Sequence, residues 1–239
     1  MLPRAPANPS LWLAGLGAAL LSAAALLVLP AVTVASASPA KPDNRMETAS
    51  GNGITMHVQE SALLTWERKF SGTTPRRFAG RTIQIQRTAK PGSRRWVVAA
   101  QTKVVKGGAF AVSWKANRAG NLDFRAVLLR RGTTASAAAA TPSLKITVYR
   151  LSKASWYGPG FFGHKTACGK TLRKTTLGVA NRKLKCGTKV SLYYDGRSIT
   201  VPVIDRGPYA NGAYWDLTEA TAQALGMTET CRIGTLFPV

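Results

Sequence analysis

Apolar and polar residues alternate in several short segments through the middle of the chain. Such a period of two is typical of strands that bury one face. Glycine and proline interrupt the alternation at Pro91-Gly92, Gly107-Gly108 and Gly132. Short strands at this spacing predict an antiparallel β-sandwich over residues 50–150, with the alanine-rich run 135–140 as a loop or a short helical turn. The alternating apolar residues are Ile83 and Ile85; Trp96, Val98 and Ala100; Phe110, Val112 and Trp114; Leu122, Phe124, Ala126 and Leu128; and Leu144, Ile146 and Val148.

From Ala154 onward, glycine-rich turns surround short apolar strands. The dipeptide Asp195-Gly196 is a strong signal for a two-residue hairpin. Thr218 is a suitable helix N-cap, and Gly226 ends the helix that follows it. The predicted elements are strands Lys189–Tyr194, Ser198–Asp205 and Ile233–Val239 and a helix Glu219–Leu225.

The N-terminus has the pattern of a secretory signal. Arg4 precedes an apolar run over residues 11–29, and Val34–Ala37 forms a small-x-small cleavage pattern. We therefore expect a signal peptide over residues 1–37, a linker over 38–49 and an exported protein. Because the apolar run is long, an uncleaved N-terminal helix that anchors the protein is the alternative.

The charge is strongly positive and concentrated in the predicted sandwich. Lys and Arg number 33 against 10 acids, a net charge of +23, and residues 45–150 hold 19 of these cations with four acids. Such a surface attracts polyanions, although much of the charge can simply be solvated. For an exported protein the expected partners are anionic wall polymers or a membrane surface, and not nucleic acid.

Three cysteines in an exported chain predict one disulfide and one unpaired thiol, and their spacing alone leaves the pairing open. The chain has no CxxC or HExxH motif, and its two histidines, His57 and His164, lie far apart in the sequence. We therefore expect neither a metal nor a cofactor.

One carboxylate stands at a position suited to chemistry. The apolar run from Val201 ends on Asp205, and Gly207-Pro208 then stops the strand. A carboxylate at a strand end can exchange protons with a bound substrate. The alternative is structural: Asp205 caps the turn or pairs with Arg206.

The C-terminal motifs resemble those of the rare lipoprotein A (RlpA) family. This resemblance implies an all-β chain in which the sandwich is followed by a six-stranded double-psi β-barrel over residues 153–239, a barrel that also occurs in expansins. The sandwich resembles immunoglobulin-like modules of exported bacterial proteins, in pattern only. The motifs, in chain order, are Ala154-Ser-Trp-Tyr-Gly-Pro-Gly-Phe161, Thr166-Ala-Cys-Gly169, Leu177-Gly-Val-Ala-Asn-Arg-Lys-Leu-Lys-Cys-Gly-Thr188, Asp205-Arg-Gly-Pro-Tyr209 and Asp216-Leu-Thr218.

The resemblance implies peptidoglycan glycan strands as the substrate and a lytic transglycosylase reaction, with Asp205 as the catalytic acid and base. It also implies a disulfide between Cys168 and Cys186, which leaves Cys231 free or buried. The substrate-binding residues that it implies are Tyr157, Thr166, Asn181, Arg206, Tyr209 and Asp216. Aromatic residues beside these motifs are suited to sugar binding, with Trp156 and Trp215 expected to belong to the core.

The chain departs from the family at three positions: Asn181 and Phe162 stand where members often have histidine, and Lys170 where many have glutamate. An amide cannot transfer protons, so a non-catalytic, expansin-like glycan-binding or wall-loosening module is the alternative function. A third possibility is a secreted interaction protein that holds anionic wall polymers through the sandwich. Products ending in 1,6-anhydro-muramic acid would distinguish the first function from the other two.

Overall fold

The structure is a computed structural model, and it describes residues 41–42, 45–133, 136–210 and 212–238. The predicted signal peptide, residues 1–37, lies outside the described residues. Within the described ranges, none of the helices has the length and apolar character needed to cross a membrane.

The described part of the chain is built almost entirely of strands, with a 3-10 turn at Arg76–Phe78 and the helix α1 at Glu219–Leu225. The strands of the first part are β1 Lys41–Pro42, β2 Met46–Gly51, β3 Ile54–Gln59, β4 Ser61–Leu63, β5 Glu67–Thr73, β6 Thr82–Thr88, β7 Trp96–Lys103, β8 Ala109–Lys115, β9 Gly120–Leu129 and β10 Ala137–Ala140. Those of the second part are β11 Leu144–Tyr157, β12 Val179–Ala180, β13 Lys189–Tyr194, β14 Arg197–Asp205, β15 Trp215–Thr218 and β16 Cys231–Leu236.

Two sheets share one hydrophobic core in the first part of the chain. Strands β2, β3, β5 and β8 form a separate antiparallel sheet, while β7, β6 and β9 continue into β11. The inward side chains of both sheets belong to a single buried cluster, in which the ring of Phe124 lies 5.3 Å from Phe70 and 5.0 Å from Trp114. Burying a side chain of this size contributes about 1.5–3 kcal/mol. An immunoglobulin-like strand topology stays a prediction.

Three local expectations differ from the structure. Strand β2 begins at Met46, inside the segment expected to be a linker, because Ala49 packs into the sandwich core. Ala137–Ala140 is strand β10, paired antiparallel with β9, and not a loop or helical turn. In β7, Val98 is 52% exposed, since a register shift opposite Ile85 changes which residues face the core.

Strand β11 runs without a break from the sandwich into the second part of the chain. Its first residues pair with β9 and β4, and its later residues pair with β16 and β15. Residues 150–153, between the predicted sandwich and the predicted barrel, therefore lie in the middle of a strand. Beside it, the rings of Tyr149 and Tyr193 stack at 5.3 Å between the two parts.

The second part is a closed six-stranded barrel in the order β11, β16, β13, β14, β12 and β15, with β15 pairing back to β11. The pairs β11–β15 and β12–β14 are parallel. The predicted hairpin is confirmed, since β13 and β14 pair up to Tyr194 and Arg197 around Asp195-Gly196. The helix α1 is confirmed as well: Thr218 Oγ1 accepts the Thr221 N–H, and Gly226 closes the C-terminus at φ 74°.

Candidate active site

A cleft of about 390 Å³ opens on one side of the barrel, where β14 ends and where β11 and β15 run parallel. Val201 and Val203 of β14 are buried in the barrel core, and Gly207 then turns the chain with φ 123°, a conformation that favours glycine. This turn leaves Asp205 half-buried at the cleft. The cleft is lined by Ser155, Trp156, Tyr157, Phe161, Ala180, Asp205, Arg206, Gly207, Pro208, Tyr209, Ala210 and Asp216.

The carboxylate of Asp205 is oriented by backbone donors. Its Oδ1 accepts the N–H groups of Ala167 and Arg206, each at 2.8 Å. Its Oδ2 accepts the hydroxyl of Tyr157 at 3.3 Å. Because Oδ1 is committed to two backbone donors, Oδ2 is the oxygen better placed to exchange a proton with a ligand in the cleft.

Tyr157 is half-buried and packs edge-on against Phe161, with ring centroids 6.1 Å apart. Burial raises the pKa of its phenol, and the nearby charge of Asp205 raises it further. The phenol therefore remains protonated and acts as a hydrogen-bond donor to Asp205 and not as a base.

Asp216 is a second carboxylate in the same cleft. Its Oδ1 accepts the hydroxyl of Ser155 at 2.8 Å. Burial raises the pKa of Asp216 above its usual range, the charge of Asp205 adds to this shift, and the Ser155 hydrogen bond opposes it. The two carboxylates therefore interact electrostatically across the cleft.

Arg206 lines the cleft, but its guanidinium is used to hold a neighbouring loop. It donates to the carbonyl of Leu184 at 3.0 Å and to that of Asn181 at 3.3 Å, and it contacts Cys186 Sγ at 3.4 Å. In the described structure Arg206 does not form an ion pair with the Asp205 carboxylate; of the atoms of Asp205, its guanidinium reaches the backbone carbonyl, at 3.4 Å.

Thr166 and Asn181 lie next to the cleft, and neither is among its lining residues. Asn181 is 1% exposed; its Oδ1 accepts the N–H groups of Lys183 and Leu184, and its Nδ2 donates to the Tyr214 carbonyl. Thr166 is buried and accepts the N–H of Lys170 at 3.2 Å. Their side chains thus support the loops from which the cleft is built.

Three exposed aromatic side chains line the cleft: Trp156, Phe161 and Tyr209. The expectation that Trp156 is a core residue is wrong, because the ring is 36% exposed and its indole N–H donates to the Thr228 carbonyl at the rim. Trp215 is fully buried, as predicted. Tyr214 packs against Trp215 outside the cleft lining.

The predicted disulfide between Cys168 and Cys186 is present, and Cys231 is unpaired. The bond joins the loop that carries Ala167 to the loop held by Arg206. Burial raises the pKa of the Cys231 thiol, and a hydrogen bond with Tyr194 opposes this shift.

Sequence analysis missed two groups that orient the carboxylates, the Ser155 hydroxyl and the Ala167 N–H. Both residues belong to motifs that the sequence displays, Ala154–Phe161 and Thr166–Gly169. Their roles depend on which strand lies beside which, and motif spacing does not carry that information.

The chain is similar in sequence to known proteins over the segment that forms the barrel. Residues 151–236 match the family described as "Lytic transglycolase". A probable endolytic peptidoglycan transglycosylase RlpA from Synechocystis is 42% identical over 76 residues, which are 31% of this chain and 24% of that relative. Another from Aquifex aeolicus is 42% identical over 85 residues, 35% of this chain and 38% of that relative. The second part of the chain is therefore an RlpA-like double-psi β-barrel, and the chain spans less than half the length of these relatives.

Among solved structures, the Streptomyces papain inhibitor is similar with a TM-score of 0.28 and 23% identity, covering 36% of this chain and 91% of that protein. This likeness is too low to support an inference about function.

Proposed function

We propose that the protein acts on peptidoglycan glycan strands as a lytic transglycosylase, with Asp205 as the acid and base. The observation that carries this proposal is the oriented carboxylate in an aromatic-lined cleft, within a segment similar to transglycosylases. The exposed rings beside it offer apolar faces against which sugar rings can pack.

The chemistry requires one carboxyl group. In its protonated form, Asp205 donates a proton to the glycosidic oxygen between N-acetylmuramic acid and N-acetylglucosamine as the C1–O bond breaks. The resulting carboxylate then accepts the proton of the sugar's own C6 hydroxyl, whose oxygen bonds to C1 and forms the 1,6-anhydro product. An ordinary glycosidase would instead use two carboxyl groups and a water molecule.

The hydrogen bonds around Asp205 support Oδ2 as the atom that exchanges the proton. Two backbone N–H groups bind Oδ1, so the carboxylate is already oriented before a substrate enters the cleft. Tyr157, Arg206, Tyr209 and Asp216 line the cleft and are proposed to contact the sugars, whereas Thr166 and Asn181 are proposed to act by shaping its walls.

The second candidate function is glycan binding without cleavage, as in expansins. Asn181 favours it, because an amide replaces the family's histidine and its polar atoms already bond to the protein. Under either function we propose an exported, wall-associated protein whose basic sandwich adds attraction to anionic polymers.

Asp205→Asn tests the proposal. The amide keeps the size of the side chain but cannot transfer a proton, and general acid–base catalysis contributes about 10²–10⁴-fold. We expect the loss of 1,6-anhydro products from purified, peptide-free glycan, measured by mass spectrometry. Asp195→Asn is the matched control, since it makes the same chemical change in the β13–β14 turn, away from the cleft lining.

Two results would contradict the proposal in different ways. Cleavage that survives Asp205→Asn would show that this carboxylate is only a turn residue. Wild-type protein that binds the glycan and releases no anhydro product would establish the binding module instead.

A further inference from the structure

Five cationic side chains converge at one end of the sandwich, around two adjoining surface depressions of about 440 and 530 Å³. Arg81, Arg130 and Arg131 line both depressions, Lys103 lines the first and Arg77 lines the second. We call these five residues the arginine patch. No acidic residue is among the described residues that line either depression.

The strand register brings the patch together. Thr82 at the start of β6 pairs with Lys103 at the end of β7, and Ile83 pairs with Leu128 near the end of β9. Arg81, just before β6, and Arg130, just after β9, therefore lie at the same end of the sheet. The other end of β9 pairs with β11 next to the barrel, and ten residues of strand span about 30 Å. The patch is thus too distant to be part of the barrel cleft.

Three of the four arginines of the patch have hydrogen-bond or ring contacts that leave their charge unneutralised. Arg81 donates from its Nε to the Leu129 carbonyl at 3.0 Å, and Arg130 donates to the Ala137 carbonyl at 3.4 Å. The guanidinium groups of Arg77 and Arg81 lie over the ring of Phe78 at 4.7 and 4.9 Å. The single ion pair found in the described ranges joins Lys145 to Asp123, so the patch keeps its full charge.

We propose that the arginine patch binds a phosphodiester-linked polyanion. The planar guanidinium fork matches phosphate oxygens in a bidentate manner. Five cations spread over two depressions exceed what one phosphate can neutralise, which favours a chain of regularly spaced phosphates. This site rests on, and makes specific, the proposed attraction of the basic sandwich to anionic polymers, and it does not depend on the glycan chemistry of the cleft.

Two features of the patch argue for a polyol phosphate over other polyanions. Single-stranded nucleic acid is usually held by bases stacked on exposed aromatic rings, whereas the Phe78 ring already carries two guanidinium groups. Membrane-surface sites combine cations with exposed apolar side chains. None of the large exposed hydrophobic residues of the described chain lines the patch.

The test compares two triple variants of the full chain for binding to poly(glycerol phosphate). Arg77→Gln, Arg130→Gln and Arg131→Gln remove three charges from the patch and leave Arg81, which supports the fold. Arg94→Gln, Arg95→Gln and Arg118→Gln remove three exposed arginine charges elsewhere in the sandwich. Thermal unfolding checks that both variants remain folded.

We expect the patch variant to lose about 30-fold or more in affinity at low salt and the control variant about threefold or less. The slope of log K against log salt should become shallower by about 2 in the patch variant, since each lost phosphate contact removes about 0.7. Replacing the same three patch arginines by lysine should cause an intermediate loss, because charge remains while the fork is removed.

Equal losses of affinity in the two glutamine variants would overturn the proposal and show that the polymer binds through diffuse surface charge. Tighter patch-dependent binding of single-stranded DNA or of anionic phospholipid vesicles would overturn the assigned ligand. Asp205→Asn should leave polymer binding unchanged, and the patch variant should leave glycan cleavage unchanged, so failure of one proposal is distinguishable from failure of the other.

Discussion

At the scale of single residues, the cleft depends on polar groups that are already satisfied within the protein. Asp205 Oδ1 accepts two backbone N–H groups, and the Arg206 guanidinium donates to loop carbonyls. The Asn181 side chain forms hydrogen bonds with three backbone groups. Asp205 Oδ2 accepts the Tyr157 hydroxyl and keeps a further lone pair for a ligand in the cleft. Such pre-organisation lets a carboxylate act without first being reoriented.

Asn181→Ala should destabilise the barrel. It removes the acceptor for the partly buried Lys183 and Leu184 N–H groups, and leaving such donors unsatisfied costs about 1 kcal/mol, the lower end of the range for buried groups. Asn121→Ala is the matched control, because it makes the same change at an exposed position, where the amide oxygen accepts the Thr147 hydroxyl. Denaturant unfolding should show a clearly larger loss of stability for Asn181→Ala than for Asn121→Ala. Equal stability of Asn181→Ala and wild type would show that water replaces the amide without penalty.

The roles of individual residues were predictable from sequence where the chain contains a strand break or a family motif. Asp205 stands at the end of an apolar run just before Gly207-Pro208, and the position of the disulfide follows from the family resemblance. The exposure of Trp156 was not predictable, because a carbonyl from a distant segment, Thr228, holds its indole at the rim. Long-range partners of this kind leave no local signal.

At the scale of elements, the loops around the cleft are joined by the disulfide and by Arg206. The bridge closes a loop with a sequence separation of 18 residues. It connects the loop that presents the Ala167 N–H to the loop next to Arg206. The positions of these loops relative to β14 determine the orientation of Asp205.

Replacing both Cys168 and Cys186 by serine should lower the unfolding free energy by about 3 kcal/mol, through the restored freedom of the unfolded chain. Glycan cleavage should fall too, because Ala167 is adjacent to one of the replaced residues. Cys231→Ser is the control and should change either property much less, since this thiol forms no disulfide and a serine hydroxyl can keep the hydrogen bond with Tyr194. Denaturant titration and product analysis measure the two effects. An active double variant of normal stability would contradict this role of the disulfide.

Strands were predictable from sequence where apolar and polar residues alternate along the chain. Strand β9 buries residues at alternate positions and is evident, whereas β2 and β5 bury only one and two residues. Strand β10 consists of four alanines at partly exposed positions, so pairing with β9, and not periodicity, makes it a strand.

At the scale of the whole molecule, the sandwich and the barrel share β11 and a small apolar junction. The junction cluster comprises Leu63, Tyr149 and Tyr193, with Leu151 and Leu236 packed against it. The sequence around residues 150–153 has no proline or glycine, which is consistent with a continuous strand. Its pairing with β9 of the sandwich before this point and with β16 of the barrel after it could be seen only in the structure.

Gly234 on β16 allows this close approach, and Gly234→Ala tests its importance. A Cβ at this position would lie 2.9 Å from Leu63 Cδ2 and Tyr149 Cβ and 3.2 Å from Tyr193 Cβ. The leucine methyl can move, but both tyrosine Cβ atoms are fixed by their strands, and overpacking of this kind costs about 1–3 kcal/mol.

Hydrogen exchange can follow unfolding separately in β9 of the sandwich and in β13 of the barrel. In the wild-type protein, we expect the unfolding transitions reported by the two strands to coincide. In Gly234→Ala the two transitions should separate, because the substitution weakens the junction and leaves each core intact. Arg232→Ala, at an exposed position of the same strand, is the control and should keep a single transition. Coincident transitions in Gly234→Ala would show that the continuous β11 backbone alone couples the two parts, without help from the tyrosine stack.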